Sequence, residues 1–248
     1  MTKKLQIKTA LLTVTVLLIL LVGGSILLVF FAHKREKEPS VSTDAAEKRR
    51  EVTFVIDAGH GGMDSGAVGV NGCYEKDLNL AVAEKLAALC RAAGYPTVMT
   101  RTEDKLVVED SVTEHKKMHD LKNRLTIAEK EKEPLLVSIH MNTFSSARYS
   151  GLQVWYGKAD PISKEAASYV QSYAKNCLDS NNDRVIKPGT SAIYLLDRAK
   201  IPAILIECGF LSNNAECEKL CTKDYQMKTA ATIFAALTAY LSESRESS

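Results

Sequence analysis

The sequence carries little net charge of either sign and lacks the loops that define several common enzyme classes. Lys and Arg total 32 against 30 Asp and Glu, and the resulting charge of +2 is too small to predict nucleic acid as a partner. The glycine-rich stretch Gly59–Gly62 has neither the G-x-G-x-x-G nor the P-loop spacing, which argues against nucleotide binding. A G-x-S-x-G elbow is missing and Cys208 has no evident paired histidine, so nucleophilic catalysis is weakly supported.

A long uncharged apolar run lies near the N-terminus. It covers residues 9–32 and exceeds the roughly 18 apolar residues that suffice to span a bilayer. A cleaved secretory signal is the alternative, but its apolar region is typically about 7–15 residues long and ends in small residues. This run ends in Phe30, Phe31 and Ala32. We therefore predict a retained transmembrane helix, whose orientation is not fixed by charge because lysines flank it on both sides.

The remainder of the 248-residue chain has room for one moderate domain. The segment that follows the apolar run is charged and has no hydrophobic periodicity, which is typical of a solvated tether. The predicted partition is a cytoplasmic N-terminus 1–8, a transmembrane anchor 9–32, a charged linker 33–51, a folded domain 52–242 and a tail 243–248.

From residue 52 onward, short apolar runs alternate with amphipathic patterns, which predicts a single α/β domain. We expect a roughly six-stranded, mostly parallel or mixed sheet flanked by helices. The predicted strands are Val52–Asp57, Pro96–Met99, Leu135–Ile139, Leu152–Tyr156, Ala192–Leu196 and Ala203–Ile206. The predicted helices are Glu75–Ala93, Met118–Lys132, Ser163–Leu178 and Tyr225–Leu241.

Four residues with metal-binding or acid–base chemistry lie close to predicted strand and helix ends. His60 follows the first strand, Glu75 opens the first helix, His140 follows the third strand and Glu207 follows the last. Functional residues gather at the carboxyl ends of strands in such sheets, so we expect the four to converge. Two histidines and one glutamate are a known catalytic zinc set, and a further carboxylate can act as general base. Each residue alone has an ordinary structural interpretation, such as helix capping for Glu75.

The sequence does not decide the role of the six cysteines. Their spacings match no small disulfide framework, and a chain of this size does not need one. Cys217 and Cys221 are four residues apart on a predicted helix but lack the paired partners of a structural zinc site. We interpret the cysteines as small buried apolar residues, with disulfides or metal ligands as the alternative.

The ordered motifs of the domain resemble those of the zinc-dependent N-acetylmuramoyl-L-alanine amidases, type 3. The resemblance covers Val52 to Leu241, and Ala58 and Cys208 depart from the residues usual in that family. It rests on four segments, VIDAGHGGMD, EKDLNL, SIHMN and IECGFLSN.

The resemblance implies that His60, Glu75 and His140 bind Zn²⁺ and that Glu207 is the catalytic carboxylate. The bond cleaved would be the amide between the lactyl group of N-acetylmuramic acid and the L-alanine of the peptidoglycan stem peptide. The alternatives are a zinc peptidase acting on wall peptides and a non-catalytic wall-binding scaffold.

Within this family, the N-terminal anchor, the bare catalytic domain and the run from Tyr149 to Tyr156 are most similar to the amidases of sporulation and germination. The resemblance implies a role in forming muramic-δ-lactam in the spore cortex. It also implies a membrane protein whose domain lies outside the cytoplasm, possible activation by a partner protein, and no nucleic acid partner.

Overall fold

A computed structural model describes residues 52–109 and 111–244 of the chain. The predicted anchor at 9–32, the linker at 33–51 and most of the predicted tail lie outside these residues. Among the described residues, no helix is both long and apolar enough to cross a membrane.

The centre of the domain is a six-stranded mixed sheet, as expected. The strands are β1 (Thr53–Ala58), β2 (Thr97–Met99), β3 (Pro134–Asn142), β4 (Gln153–Tyr156), β5 (Lys187–Pro188) and β6 (Ala203–Phe210). Their order across the sheet is β2-β1-β3-β6-β4-β5. The first four of these run parallel, and β4 pairs antiparallel with β6. Such a parallel core is buried on both faces, which explains its runs of apolar residues.

Helices cover both faces of the sheet. They are α1 (Glu75–Ala92), α2 (Lys116–Glu129), α3 (Pro161–Cys177), α4 (Tyr194–Arg198), α5 (Asn214–Leu220) and α6 (Lys223–Glu243). The larger apolar core lies under α1, α3 and α6, whereas the smaller one lies under α2 and α4. The four long helices confirm the predicted ones to within two or three residues at each end, which is the usual uncertainty of helix boundaries.

The predicted strand at Ala192–Leu196 is wrong. The chain there forms the short helix α4, which begins after a turn in which the Ile193 amide donates to the Thr190 carbonyl at 2.9 Å. Leu195 and Leu196 are both buried in the smaller core. A strand would send these two neighbours to opposite faces of the sheet, whereas a helix can bury both on one side. The edge position of the sheet is taken instead by β5.

Strands β3 and β6 continue past their predicted ends, so that His140 and Glu207 lie within strands and not after them. The two residues are direct neighbours in the parallel pairing, and Glu207 is paired with Gln153 of β4 on its other side. A register shift follows between His140 and Asn142. The sheet therefore places His140, Glu207 and Gln153 in one row across three strands.

Candidate metal centre

The structure brings together the three residues predicted as metal ligands. His60 follows β1, Glu75 is the first residue of α1, and His140 lies in β3. His60 Nε2 is 3.2 Å from Glu75 Oε1, and His140 Nδ1 is 3.0 Å from the same oxygen. One ligand atom from each residue lies within 4.8 Å of the others. This is the spacing at which three side chains can hold one cation.

Close backbone approach at two glycines makes this convergence possible. A Cβ at Gly59 would lie 2.2 Å from the His140 ring. A Cβ at Gly66 would lie 2.5 Å from Glu75 Oε2, and the φ of Gly66 is +64°. Only glycine has both this freedom and this small size, so the loop around His60 packs against the ligands themselves.

His60 is oriented by a second carboxylate that the sequence analysis did not single out. Asp64 Oδ2 lies 2.9 Å from His60 Nδ1, which leaves Nε2 to face Glu75. Lys117 Nζ is 3.1 Å from the same Asp64 oxygen. Burial lowers the pKa of His60, but the Glu75 and Asp64 carboxylates outweigh it and raise the pKa above its ordinary value. Carboxylates behind ligating histidines are the usual means of fixing the ring and its tautomer.

Glu75 is held in place by neighbouring donors. Its Oε2 accepts from the Ala67 amide at 2.8 Å, and its Oε1 accepts from the Met141 amide at 3.2 Å. Burial raises the pKa of Glu75, but the two histidines outweigh that effect and lower it far below its ordinary value. The carboxylate is therefore ionised and fixed in the geometry of a ligand.

Glu207 differs from Glu75 in having no stabilising donor. Its Oε2 is buried and has no hydrogen-bond partner among the described residues. Burial raises the pKa of Glu207 to about 7, with His140 and His60 lowering it and Glu75 raising it. Buried polar atoms are normally paired, so an unpaired carboxylate oxygen beside three candidate ligands indicates a functional group and not a structural one.

A buried ion pair supports the loop that carries His60. Arg124 Nη1 is 2.8 Å from Asp57 Oδ1, and each side chain is 1% exposed. The same guanidinium donates to the carbonyls of Ala58 and His60, both at 2.6 Å. Arg101 donates to the Ala58 carbonyl at 2.8 Å. These bonds hold His60 at a φ of +59°, a left-handed conformation that few residues other than glycine adopt.

The remaining histidines of the described region do not join the site. His115 and His119 are exposed, as expected from their charged surroundings. His33 lies outside the described residues. Arg101 and Arg124 were missed because the carbonyls that they bind are distant in sequence. Asp64 lies only four residues from His60 in the same motif, but the motif alone does not show that its carboxylate contacts the imidazole.

Comparison with known proteins identifies the enzyme family to which the chain belongs. The family model described as N-acetylmuramoyl-L-alanine amidase matches residues 54–239. The chain therefore belongs to the N-acetylmuramoyl-L-alanine amidase family, and its activity is that of such an amidase.

Several members of this family are similar to the chain over most of their length. The CwlD amidase of Clostridioides difficile, solved in complex with the GerS lipoprotein, is 39% identical, with a TM-score of 0.72 over 77% of this chain and 98% of that one. The germination-specific N-acetylmuramoyl-L-alanine amidase of Bacillus subtilis is 30% identical over 225 residues, which are 90% of this chain and 93% of the relative. AmiC2 of Nostoc punctiforme is 30% identical, with a TM-score of 0.67 over 77% of this chain and 98% of that one.

We predict that Asp57→Asn destabilises the protein by about 2–3 kcal/mol, because it removes one of the two buried carboxylates, Asp57 and Asp120, that pair with the Arg124 charge. Burial raises the pKa of Asp57, but Arg124, Ser138 and Thr100 outweigh it and lower the pKa from 3.8 to about 2. The pair is therefore fully stabilising above about pH 4, and its contribution of roughly 2 kcal/mol is lost as the pH falls through about 2. The difference in unfolding free energy between parent and variant should shrink across that window, as measured by urea denaturation.

The matched control is Glu103→Gln, which removes an exposed carboxylate 3.3 Å from Lys105. Its stability should stay within about 0.5 kcal/mol of the parent at every pH. An Asp57→Asn variant as stable as this control would contradict the assignment.

Proposed function

We propose that the chain cleaves the amide between the N-acetylmuramic acid lactyl group and the stem-peptide L-alanine with Zn²⁺ held by His60, Glu75 and His140. Glu207 serves as the catalytic carboxylate. The observation that carries this proposal is the convergence of three ligand atoms within 4.8 Å beside the buried, unpaired Oε2 of Glu207. Two imidazoles and a carboxylate with an open fourth position are a set that catalytic zinc uses.

The residues of the site have different roles in the proposed hydrolysis. Zinc, when bound, supplies Lewis acidity toward the amide carbonyl and activates water as a nucleophile. Glu207 takes the proton of the attacking water and delivers it to the departing amine of L-alanine, for which a carboxylate with a pKa near neutrality is suited. A nearby cation lowers the pKa of this carboxyl and favours the ionised form that accepts the proton. His60 and His140 would hold the zinc through ring nitrogens, with Asp64 accepting from His60 Nδ1.

A cavity lined by residues of β4 and by Phe210 of β6 has the chemistry to bind the substrate. It measures about 330 Å³ and includes Gln153, the residue paired with Glu207 across the sheet. Arg184 lies over the Phe210 ring with its guanidinium carbon 4.4 Å from the centroid, and Lys187 lies over Trp155. Of these two cations Lys187 is exposed and Arg184 is partly buried, and both can bind the carboxylates of a stem peptide, while the rings pack against its apolar and sugar atoms.

We further propose a role in the spore cortex, in the formation of muramic-δ-lactam. The similarity to a germination-specific amidase and to CwlD supports it. CwlD was solved in complex with a lipoprotein, which supports the proposal that a partner protein binds and activates this chain.

We propose that residues 9–32 anchor the protein in the cell membrane, with 1–8 in the cytoplasm and the catalytic domain outside, in the intermembrane space of a forespore. The uncharged apolar run supports the anchor, and the extracytoplasmic position of peptidoglycan supports the orientation. When the full chain is produced in growing cells, where the outer face of the membrane is open to the medium, we expect it to sediment with membranes in high salt and its domain to be cleaved by protease added to intact protoplasts. Protection of the domain in intact protoplasts would contradict this orientation.

We predict that Glu207→Gln lowers amidase activity by about 10²–10⁴-fold while zinc content stays at the parent level, because the residue moves protons and does not hold the metal. The assay incubates full-length protein in detergent with purified peptidoglycan and detects released stem peptides by mass spectrometry. The matched control Glu218→Gln changes an exposed glutamate and should keep full activity.

The alternative functions give different results in the same assay. A wall peptidase would cut a synthetic stem peptide that carries no sugar, whereas the amidase releases an intact peptide with a new L-alanine amine. A non-catalytic scaffold would bind peptidoglycan without releasing peptide. Loss of zinc in Glu207→Gln would instead make Glu207 a ligand.

We predict that Asp64→Ala weakens zinc affinity by about 10–100-fold, because His60 loses the carboxylate that orients its ring. Competition with a chromogenic chelator measures the affinity. Asp77→Ala removes an exposed carboxylate from the first turn of α1 and serves as the control, with parental affinity expected. Equal affinities in the two variants would show that Asp64 plays no part in metal binding.

A further inference from the structure

Three cysteines from two distant parts of the chain meet near the surface of the domain. Cys73 lies in the loop before α1, Cys217 lies in α5, and Cys221 directly follows α5. Cys217 is buried, Cys73 is partly buried and Cys221 is exposed. The Sγ atoms of Cys73 and Cys217 are 3.7 Å apart, and all three Sγ atoms lie within 4.8 Å of one another. The three sulfurs are close enough to share one cation.

The sulfur spacing matches metal coordination better than a covalent bridge. Zinc–sulfur bonds are about 2.3 Å long, so two thiolates on a tetrahedral zinc lie about 3.8 Å apart. A disulfide requires about 2.05 Å between its sulfurs. The 3.7 Å separation of the Cys73 and Cys217 sulfurs is therefore already that of two ligands on one ion.

The loop backbone is shaped around the sulfurs. A Cβ at Gly69 would lie 2.6 Å from Cys73 Sγ and 2.7 Å from Cys217 Sγ, so no larger residue fits there. The Gly69 amide donates to the Cys73 carbonyl at 2.8 Å, and Gly72 closes the same turn at a φ of +85°. This tight turn presents the Cys73 thiol to α5.

An amide side chain completes the cluster. Asn71 Oδ1 is 3.2 Å from Cys217 Sγ, and Asn71 Nδ2 is 3.3 Å from Cys221 Sγ. Oδ1 also accepts from the Cys73 amide at 3.1 Å. An exposed amide at this position can act as a fourth oxygen ligand or be replaced by water.

We propose that Cys73, Cys217 and Cys221 form a second metal site, which binds a thiophilic d¹⁰ cation, zinc in the first instance. Three sulfur ligands select such ions over Mg²⁺ or Ca²⁺. The site shares no residue with the catalytic centre, and its existence does not depend on the proposed function. A metal bound there would have a structural role. It would link the loop before Glu75 to α5, the helix that follows the strand of Glu207.

The test uses full-length protein kept reduced and carrying both His60→Ala and His140→Ala, so that the catalytic site no longer contributes. We expect one zinc per chain by elemental analysis and a rise in Tm when zinc is added. Cobalt substitution should give thiolate-to-cobalt charge-transfer absorption in the near ultraviolet, which nitrogen and oxygen ligands do not produce. X-ray absorption should show a sulfur shell at about 2.3 Å from zinc.

Two cysteine variants and one control make the result specific. In the same background, Cys221→Ser changes an exposed side chain and tests the site with little risk to folding, and Cys217→Ser tests its buried ligand. Each should lose the charge-transfer absorption and most of the bound zinc. Cys177→Ser, also exposed, should keep both.

The proposal is overturned if the parent of this series shows no charge-transfer absorption, or if both cysteine variants retain zinc. It is also overturned if protein purified without reductant has a mass lower by two hydrogen atoms and two fewer titratable thiols, because the cluster is then a disulfide. None of these measurements uses amidase activity, so their outcome is independent of the test of Glu207.

Discussion

The buried contact between Asp57 and Arg124 determines where the loop that carries His60 can lie. Arg124 comes from α2, Asp57 is the next-to-last residue of β1, and the hydroxyl of Ser138 on β3 donates to the other oxygen of Asp57 at 2.5 Å. One guanidinium thus joins a helix to the central strands and uses its remaining donors on the carbonyls around His60. Buried ion pairs contribute little net stability compared with apolar packing, and their value lies in fixing geometry. Here the geometry fixed is the left-handed backbone of His60, a proposed metal ligand.

The same sheet gives two glutamates opposite electrostatic environments. Glu75 opens a helix among amide donors and imidazoles, which lower its pKa, whereas Glu207 lies within β6 with an unpaired buried oxygen and a pKa raised to about 7. Carboxylates whose environments separate their pKa values in this way take different roles in one reaction. A permanently ionised carboxylate suits a ligand, and one that titrates near neutrality suits proton transfer.

Local sequence patterns predicted that the four candidate residues converge and predicted most elements, because each lies in or beside a strong periodic segment. The patterns failed where tertiary packing decided the structure. The apolar run at Ala192–Leu196 has β character, yet Leu195 and Leu196 are buried together in the smaller core, which requires a helix.

The interpretation of the cysteines as buried apolar residues is only partly correct. Cys90, Cys208 and Cys217 are buried as expected, whereas Cys177 and Cys221 are exposed. The partner of Cys217 could not be read from local spacing, because Cys73 stands 144 residues away and is brought near only by the fold. Arg101 and Arg124 were missed for the same reason, because their backbone carbonyl acceptors carry no sequence signal and Asp57, a carboxylate partner of Arg124, is 67 residues away.

The loop from Gly66 to Glu75 belongs to both clusters of potential ligands, and this shared position constrains it. At its start Gly66 packs against Glu75 and His60, and in its middle Gly69 packs against two cysteine sulfurs. Between them the Ala67 carbonyl accepts from the Glu75 amide at 2.9 Å. Because the cysteine cluster and the Glu75 carboxylate are held by the same few residues, a displacement at the sulfurs must move the backbone that positions Glu75. Catalytic precision of this loop therefore depends on contacts that take no part in the reaction.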